Sequence, residues 1–447
     1  MQPKTRIDVA ILGATGAVGQ RFIQLLDGHP WFRVAEVVAS DRSAGKPYAE
    51  AARWVLTGNP PADVANLIVL PLDAPLNSPI VLSALPTDVA KTLEPELAAR
   101  GHVVCSNTSS HRMAVDVPLL IPEVNADHAG LIDVQRRNRG WTTGALVTTP
   151  NCTSTPVVMA LAPLVQFGIR QLNVVSLQAV SGAGYPGVAS MDIFDNVVPY
   201  IGGEEEKVET EPLKMLGAFT GERIDWLTTA ISAACNRVPV LDGHIVCLSV
   251  ALDQKQSLDA IRDAWTSYRG HESVRELPSA ADPILIYTDL PDRPQPRRDR
   301  DAVHGMATTI GRLRECPLLD VKFVALAHNT IRGAAGGARL CAGRRAAYGK
   351  RAVRLAAFER ADNFGSDPTA IEIPCLRRDL FTVDVARIHP TGVERNIILQ
   401  PFVAYGRIRI KPGSVFGGAI AHGKRVIRRH AFEFTEGVAH GQLEIVG

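Results

Sequence analysis

The sequence predicts an α/β protein with a doubly wound parallel sheet first, a mixed α/β domain second and a C-terminal extension of different character. Three observations predict this. Short apolar runs alternate with helical segments through the first 150 residues, the pattern turns strand-rich from about residue 172, and the charge balance changes sign near residue 338. The elements follow in order. Ile7–Leu12 is a short apolar run, a strand that leads into Gly-rich turn residues. In Val18–Leu26 the apolar residues Val18, Phe22, Leu25 and Leu26 have helical spacing. Phe32–Ala39, Ile80–Ala84, His102–Cys105 and Ala145–Thr148 read as further strands. Thr153–Phe167 reads as a helix broken by Pro156 and Pro163. Asn173–Val180 and Ile245–Leu252 are strands of the second domain, and Pro291–Asp301 is expected to be a solvated, charged loop.

Composition narrows the functional classes. The 447 residues carry 48 Lys and Arg against 46 Asp and Glu, which excludes a uniformly basic nucleic-acid coat and an acidic disordered chain. The balance is uneven along the chain. From Arg339 onward there are 18 basic and 10 acidic residues, against 30 and 36 before it. The seven cysteines (Cys105, Cys152, Cys235, Cys247, Cys316, Cys341 and Cys375) form no C-x-x-C pair. That argues against a disulfide framework or a metal site and for a reducing compartment. No apolar run approaches the roughly 20 residues of a membrane span, so a soluble cytoplasmic protein is expected.

Gly13-Ala-Thr15-Gly16-Ala17-Val18-Gly19 lies between the first strand and the first helix. Glycine there lets the backbone approach a pyrophosphate, and the helix N-terminus offers free N–H groups, so this loop is expected to bind a dinucleotide. At the end of the second strand, Ser40-Asp41-Arg42-Ser43-Ala-Gly-Lys46 holds both signs of charge. Asp41 suits a ribose hydroxyl, whereas Arg42, Ser43 and Lys46 provide the phosphate-compatible groups that point to NADP, with Ser40 also on the cofactor side.

Among the cysteines, Cys152 in Thr148-Thr-Pro-Asn-Cys-Thr-Ser-Thr155 stands apart, at a polar turn that opens a helix. A helix N-terminus is expected to lower its thiol pKa and to hold a developing oxyanion. Cys105, Cys235 and Cys247 read as inert core residues. Downstream lie the flexible loop Ser181-Gly182-Ala-Gly-Tyr-Pro-Gly187 and the acidic run from Gly202 to Glu211, which contains Lys207. Arg237-Val-Pro-Val-Leu-Asp-Gly-His244 supplies an arginine suited to a carboxylate and a histidine after a glycine turn. Together these residues point to acyl chemistry with hydride transfer.

The runs GATGAVGQRF, ASDRSAGKPY, SNTSSHRM, TTPNCTSTP, SGAGYPG, GGEEEKVETEPLKMLG, RVPVLDGH and HNTIRGAAGG resemble, in order, the archaeal and fungal branch of the aspartate-semialdehyde dehydrogenase family over residues 5–338. The resemblance implies Cys152 as nucleophile, His244 as acid–base and Arg237 on the substrate α-carboxylate. It implies Glu204 on the α-ammonium, with Lys207, Asn107 and Arg112 on the phosphate. Asn329 would partner the nicotinamide carboxamide, with Ser181 and Gly182 also on the cofactor side. The implied reaction is NADPH-dependent reduction of 4-phospho-L-aspartate through a cysteine thioacyl intermediate, with protonated His244 assisting its collapse. The implied architecture is an NADP-binding domain at 1–150, a substrate and dimerisation domain at 151–325, a return segment at 326–345 and an extension at 346–447. Family members are homodimers or homotetramers, and no metal, membrane or nucleic acid is implied.

Two other readings compete. Malonyl-CoA reductase and N-acetyl-glutamyl-phosphate reductase share the fold and a cysteine nucleophile, and the Glu204–Lys207 and Arg237–His244 spacings favour the aspartyl substrate over them. A catalytically inactive NADP-binding protein with a basic interaction tail is the reading from another class. Beyond residue 338 the resemblance stops abruptly. Arg339, Gly343, Arg344 and Arg345 interrupt the apolar stripe of a closing helix, so that helix is only weakly specified. The extension has alternating stretches in Arg395–Phe416, and His389, His422, His430 and His440 lack ligand spacing. Translation out of the ancestral frame is the favoured account of it, over an appended β-rich module or a disordered extension.

Overall fold

The computed structural model describes residues 6–343 and, beyond them, short strands between Ile371 and His440. In the first unit, β1 (Ile7–Leu12), α1 (Ala17–Leu26), β2 (Phe32–Val38), β3 (Ile80–Ser83), α2 (Thr87–Ala99), β4 (Val103–Ser106), α3 (Leu131–Arg139) and β5 (Ala145–Thr148) follow one another. All strand pairs are parallel and the sheet order is β2-β1-β3-β4-β5. Leu70 pairs outside β2 through a parallel bridge to Val38, which places a further short crossing at that edge. Counted with it, the order runs third-second-first-fourth-fifth-sixth, the arrangement that opens a crevice at the carboxyl ends of the strands. Parallel strands covered on both faces are apolar throughout, and β3 and β5 are buried at every position.

The chain then enters α4 (Ser154–Leu161), β6 (Ile169–Gln178), α5 (Glu204–Met215), β7 (Ala230–Arg237), β8 (His244–Leu252), α6 (Leu258–Ser267), β9 (Leu285–Thr288), β10 (Thr308–Glu315) and β11 (Val321–Ala327). These strands form a mixed sheet in the order β9-β10-β11-β8-β6-β7. All eight residues of α4 are buried, and the helix packs on α5, β8 and β11. Pro156 sits in its first turn, where the missing N–H matters little, so the helix passes through it; the chain changes to a 3₁₀ segment only at Ala162–Phe167, beside Pro163. Trp265 of α6 is 1% exposed, stacks on Tyr287, meets Phe323 edge-on and donates its indole N–H to Ala160 O at 2.8 Å. A side chain of that size contributes on the order of 3 kcal/mol by burial alone.

The edge strand β7 is covered by α5. Glu205 and Glu209, one turn apart, accept the backbone N–H groups of Cys235 and Ala233, each at 3.0 Å. The acidic run therefore protects a sheet edge as well as serving the site.

Two expectations are corrected. Residues 336–343 are helical, with Ala338, Leu340, Cys341 and Ala342 buried, and Arg339 closes the stripe by donating to Leu25 O at 2.7 Å. The stem of a long basic side chain thus packs where an apolar residue was expected. Pro291–Asp301 is only partly solvated: it contains a helical turn at Pro296–Asp299, Asp299 is buried and paired with Arg293, and Arg300 donates to Asp242 O.

In the second unit, Ile371–Cys375, Gly406–Ile410 and Phe434–Glu436 form an antiparallel sheet. Val403–Ala404 pairs with Ala439–His440, and Ile420–Ala421 with Lys424–Arg425. Arg344, Arg345, His389, His422, His430 and most of the extension expected at 346–447 lie outside the described residues.

Candidate active site

The site lies where two sets of strand ends meet. At the carboxyl ends of the parallel strands are the Gly13–Gly19 loop after β1, the Asn107–Arg112 loop after β4 and the Thr149–Cys152 turn after β5. From the mixed sheet, β6 ends at Gln178, beside Arg237 at the end of β7, while His244 opens β8 opposite Ala327 at the end of β11.

The phosphate loop is built by close backbone packing. Gly13 has φ +70°, and a Cβ there would lie 2.5 Å from Ala84 O; a Cβ on Gly19 would lie 2.2 Å from Gly13 O. Gly16 precedes α1, whose first turn carries neither an acidic residue nor a side-chain cap. An uncharged cradle ahead of a free helix N-terminus fits a dinucleotide pyrophosphate. Thr15, Ala17 and Val18 complete it. Gln20, which sequence reasoning missed, donates to Thr15 O and Arg53 O at 2.9 and 2.8 Å and accepts from Val55 N–H, fixing the loop from behind. Ser40 and Arg42 are exposed and Ser43 half-buried just past β2, while Lys46 donates to Arg42 O.

At the reaction centre, Cys152 Sγ lies 3.2 Å from His244 Nε2. His244 Nδ1 accepts the Ala179 N–H at 3.0 Å, so in the neutral ring the proton is on Nε2 and is donated to sulfur. Burial, with Arg237 and His328 adding to it, pushes the imidazole down to about 3. Burial therefore disfavours the protonated ring expected from the sequence. The expected lowering of the thiol pKa is also reversed. Burial first, then Glu204, pushes Cys152 up to about 12, while Arg112 and Arg237 pull it down. α4 begins only at Ser154, and the N–H groups of Thr153 and Ser154 are already taken by Asn151 Oδ1 at 2.7 and 3.3 Å. The helix start therefore neither ionises the thiol nor presents those two donors to an oxyanion.

Asn151 was not singled out in the sequence, although an Asn just ahead of a helix is a capping signal. Its Nδ2 also donates to both oxygens of Glu204 at 2.9 Å, and Lys207 Nζ donates to Glu204 Oε1 at 2.9 Å. Glu204 and Lys207 thus pair with each other. Arg237 is buried and donates to Ala179 O at 2.9 Å. Gly182 lies against it, since a Cβ there would be 2.8 Å from Arg237 Nη1 and 3.1 Å from His244 Nε2. Ser181 and Gly182 belong to a 3₁₀ turn, Val180–Ala183, rather than a free loop. Asn329 accepts the Gly243 N–H and donates to Ser181 Oγ, both at 2.8 Å, which steadies the turn before His244. Asn107 Oδ1 accepts from Thr149 Oγ1 at 2.6 Å, and its Nδ2 is a buried donor with no protein partner among the described residues. Arg112 is held in a buried ion pair with Glu211. Among the described residues no His, Cys, Asp and Glu group is arranged to hold a metal.

Residues 8–132 match the family model described as semialdehyde dehydrogenase, NAD binding domain, and residues 161–332 the semialdehyde dehydrogenase dimerisation domain. The aspartate-semialdehyde dehydrogenase of Archaeoglobus fulgidus is 48% identical over 332 residues, 74% of this chain and 95% of the relative. That of Schizosaccharomyces pombe is 44% identical over 337 residues, 73% and 94%. The crystal structure of the Candida albicans aspartate-semialdehyde dehydrogenase with NADP superposes with a TM-score of 0.70 at 39% identity, covering 77% of this chain and 99% of that one. The chain belongs to the aspartate-semialdehyde dehydrogenase family.

Proposed function

We propose that the protein reduces 4-phospho-L-aspartate to L-aspartate 4-semialdehyde with NADPH, releasing phosphate, a step of aspartate-family amino-acid biosynthesis towards lysine, threonine and methionine. The observation that carries this reading is a thiol 3.2 Å from a histidine Nε2, faced by Arg112, Arg237 and Glu204. These are the charges needed for a substrate with a phosphate, an α-carboxylate and an α-ammonium. Arg237 takes the carboxylate, Glu204 the ammonium, and Arg112 and Lys207 the phosphate, with Asn107 beside them.

Cys152 Sγ adds to the acyl carbon as its proton passes to the departing phosphate, the carbon–oxygen bond to phosphate breaks, and inorganic phosphate leaves with its charge balanced by Lys207 and Arg112. The acyl group remains as a thioester on Cys152. NADPH, held at Gly13–Gly19 with its 2′-phosphate towards Ser40, Arg42 and Ser43, supplies the hydride that brings the thioester to the aldehyde level. Cys152 then leaves as a thiolate, and the His244 Nε2–H is placed to hold the negative charge on sulfur. To take a proton at Nε2 the ring must carry hydrogen on Nδ1, which would face the Ala179 N–H. The acid–base role therefore requires that contact to open. Asn329, already bonded to Ser181 and Gly243, supports the nicotinamide side of the pocket.

Quenched-flow assay without NADPH tests the covalent step, with one phosphate per active site expected as a burst. Cys152→Ser is expected to abolish the burst and lower turnover ~10³-fold or more. Near-wild-type turnover in that variant would sink the proposal, and faster turnover of malonyl-CoA than of aspartyl phosphate would reassign the substrate. Assembly as a homodimer or homotetramer belongs to the same reading, supported by the match to a dimerisation domain, and sedimentation velocity checks it. A cytoplasmic location is part of it too; no described helix is long and apolar enough to cross a membrane.

A further inference from the structure

One face of α5 carries four charged residues, Glu204, Lys207, Glu211 and Lys214, spaced three or four apart. The first two belong to the proposed substrate site. Glu211 is 2% exposed and both of its oxygens are engaged. Oε1 accepts from Arg112 Nη1 at 2.9 Å, and Oε2 accepts the backbone N–H of Asn151, the residue before the nucleophile, at 2.7 Å. Arg112 Nη2 donates to Asn107 O at 2.7 Å. Lys214 holds the same loop by its main chain, with Nζ donating to Arg112 O, Ala114 O and Val117 O at 2.7 to 2.8 Å.

We propose that Glu211 is a positioning residue that ties the phosphate-binding arginine, Arg112, to the backbone of the nucleophile turn. Two loops, at Arg112 and at Asn151, are thereby held in one register. A buried ion pair is weak evidence for stability, because desolvation offsets most of the attraction. A carboxylate used at both oxygens, on two functional loops, is better explained by geometry. It also compensates Arg112, one of the charges that act on the thiol. Cys152 is faced by Arg112, Arg237, Glu204 and His244, and Arg112 favours the thiolate. Glu211 balances Arg112, while Lys214 lies one turn further along the helix. Removing the charge of Glu211 while keeping its shape leaves Arg112 uncompensated beside the sulfur. It also turns one acceptor into a donor that faces another donor.

The assignment of Arg112 to phosphate rests on the proposed function; the coupling of Glu211 to Cys152 does not. The test therefore has a substrate-free arm. Iodoacetamide alkylation of Cys152, followed against pH in the full-length protein, is expected to shift its midpoint to lower pH in Glu211→Gln. Turnover is expected to fall on the order of 10²-fold in the same variant, as misplacement of the reacting group by about an ångström would cause. Glu211→Asp keeps the charge but is too short to reach both partners. It is expected to keep the wild-type alkylation profile while losing turnover to a similar extent, and it serves alone if the Gln variant does not fold. A residue that acted only on folding would leave the alkylation profile of the folded protein unchanged. A wild-type profile with turnover within about twofold in Glu211→Gln, or wild-type turnover in Glu211→Asp, would overturn the proposal. If wild-type protein does not turn over aspartyl phosphate, the alkylation arm still reads Glu211.

Discussion

The two ends of the catalytic cleft are built in opposite ways. The Gly13–Gly19 loop has no charged side chain and owes its shape to backbone packed on backbone. The nucleophile pocket is crowded with buried or half-buried charges (Arg112, Glu204, Lys207, Glu211, Lys214 and Arg237), each engaged by a protein partner. The first end is ready for a ligand of fixed shape that several dinucleotide enzymes share. At the second, groups that would otherwise be unpaired in a low dielectric neutralise one another. The cofactor end should therefore respond chiefly to added bulk and to peripheral charge, and the pocket to displacements of a fraction of an ångström.

The sharpest test of this contrast is Gly333→Ala. Gly333 lies in a π-helical turn, Ile331–Ala335, a distortion frequent at functional sites. A Cβ there would lie 2.9 Å from Cys152 Cα and Cβ and 3.2 Å from Cys152 O. Stopped-flow turnover is expected to fall on the order of 10²-fold, because the nucleophile must shift. Cofactor affinity, read by fluorescence titration, should stay near the wild-type value. Unchanged turnover would mean that the pocket yields as readily as a surface loop, and the contrast would fail.

The same contrast decides what was legible in the sequence. The first sheet could be read almost strand by strand, because parallel strands buried on both faces are nearly continuous apolar runs, as in residues 145–147. Cys152 stood out by its polar turn, and Gly13, Gly16 and Gly19 by their place between strand and helix. What could not be read is what depends on pairing across the chain. Asn151, Glu211 and Lys214 are ordinary polar residues until residues about 50 to 100 positions away meet them. The electrostatics misled for the same reason. A thiol near a helix start reads as activated, but burial beside Glu204 outweighs the helix once tertiary structure forms. Arg339 likewise reads as a break in an apolar stripe and proves to be a tether to Leu25.

Acid sharpens the comparison from another side, because buried neutral histidines occur both in the pocket and away from the cleft. His29, in the turn between α1 and β2, accepts the N–H groups of Trp31 and Phe32 on Nδ1 at 3.2 Å, and its Nε2 lies 3.0 Å from Ser279 Oγ. Burial, with Arg339 adding to it, holds it down at about 4. The unfolded chain binds the proton near 6.5 and the folded one only near 4, so the stabilisation is complete above pH 6.5 and is lost as pH falls towards 4. The loss attributable to His29 is about 3 kcal/mol at most. Urea unfolding of wild type and His29→Gln between pH 7 and 4 should show a shallower acid loss in the variant. Parallel curves would assign the acid sensitivity to the other histidines held low by burial, His111, His128, His244 and His328.

The smallest effect is expected at the outer rim of the cofactor end, where charge alone selects. Arg42 and Lys46 are exposed past β2, and Lys46 is bonded to the carbonyl of Arg42. An exposed guanidinium fork is the group there best suited to a 2′-phosphate, whereas the glycine loop sees only the pyrophosphate common to both nicotinamide cofactors. Arg42→Ala is therefore expected to lower the ratio of kcat/KM for NADPH to that for NADH by about tenfold, equivalent to about 1.4 kcal/mol. The value for NADH itself should hardly change, and Lys46→Ala should do less. An equal loss with both cofactors would show that Arg42 shapes the loop instead of reading the phosphate, and the cofactor end would then depend on side-chain packing as the pocket does.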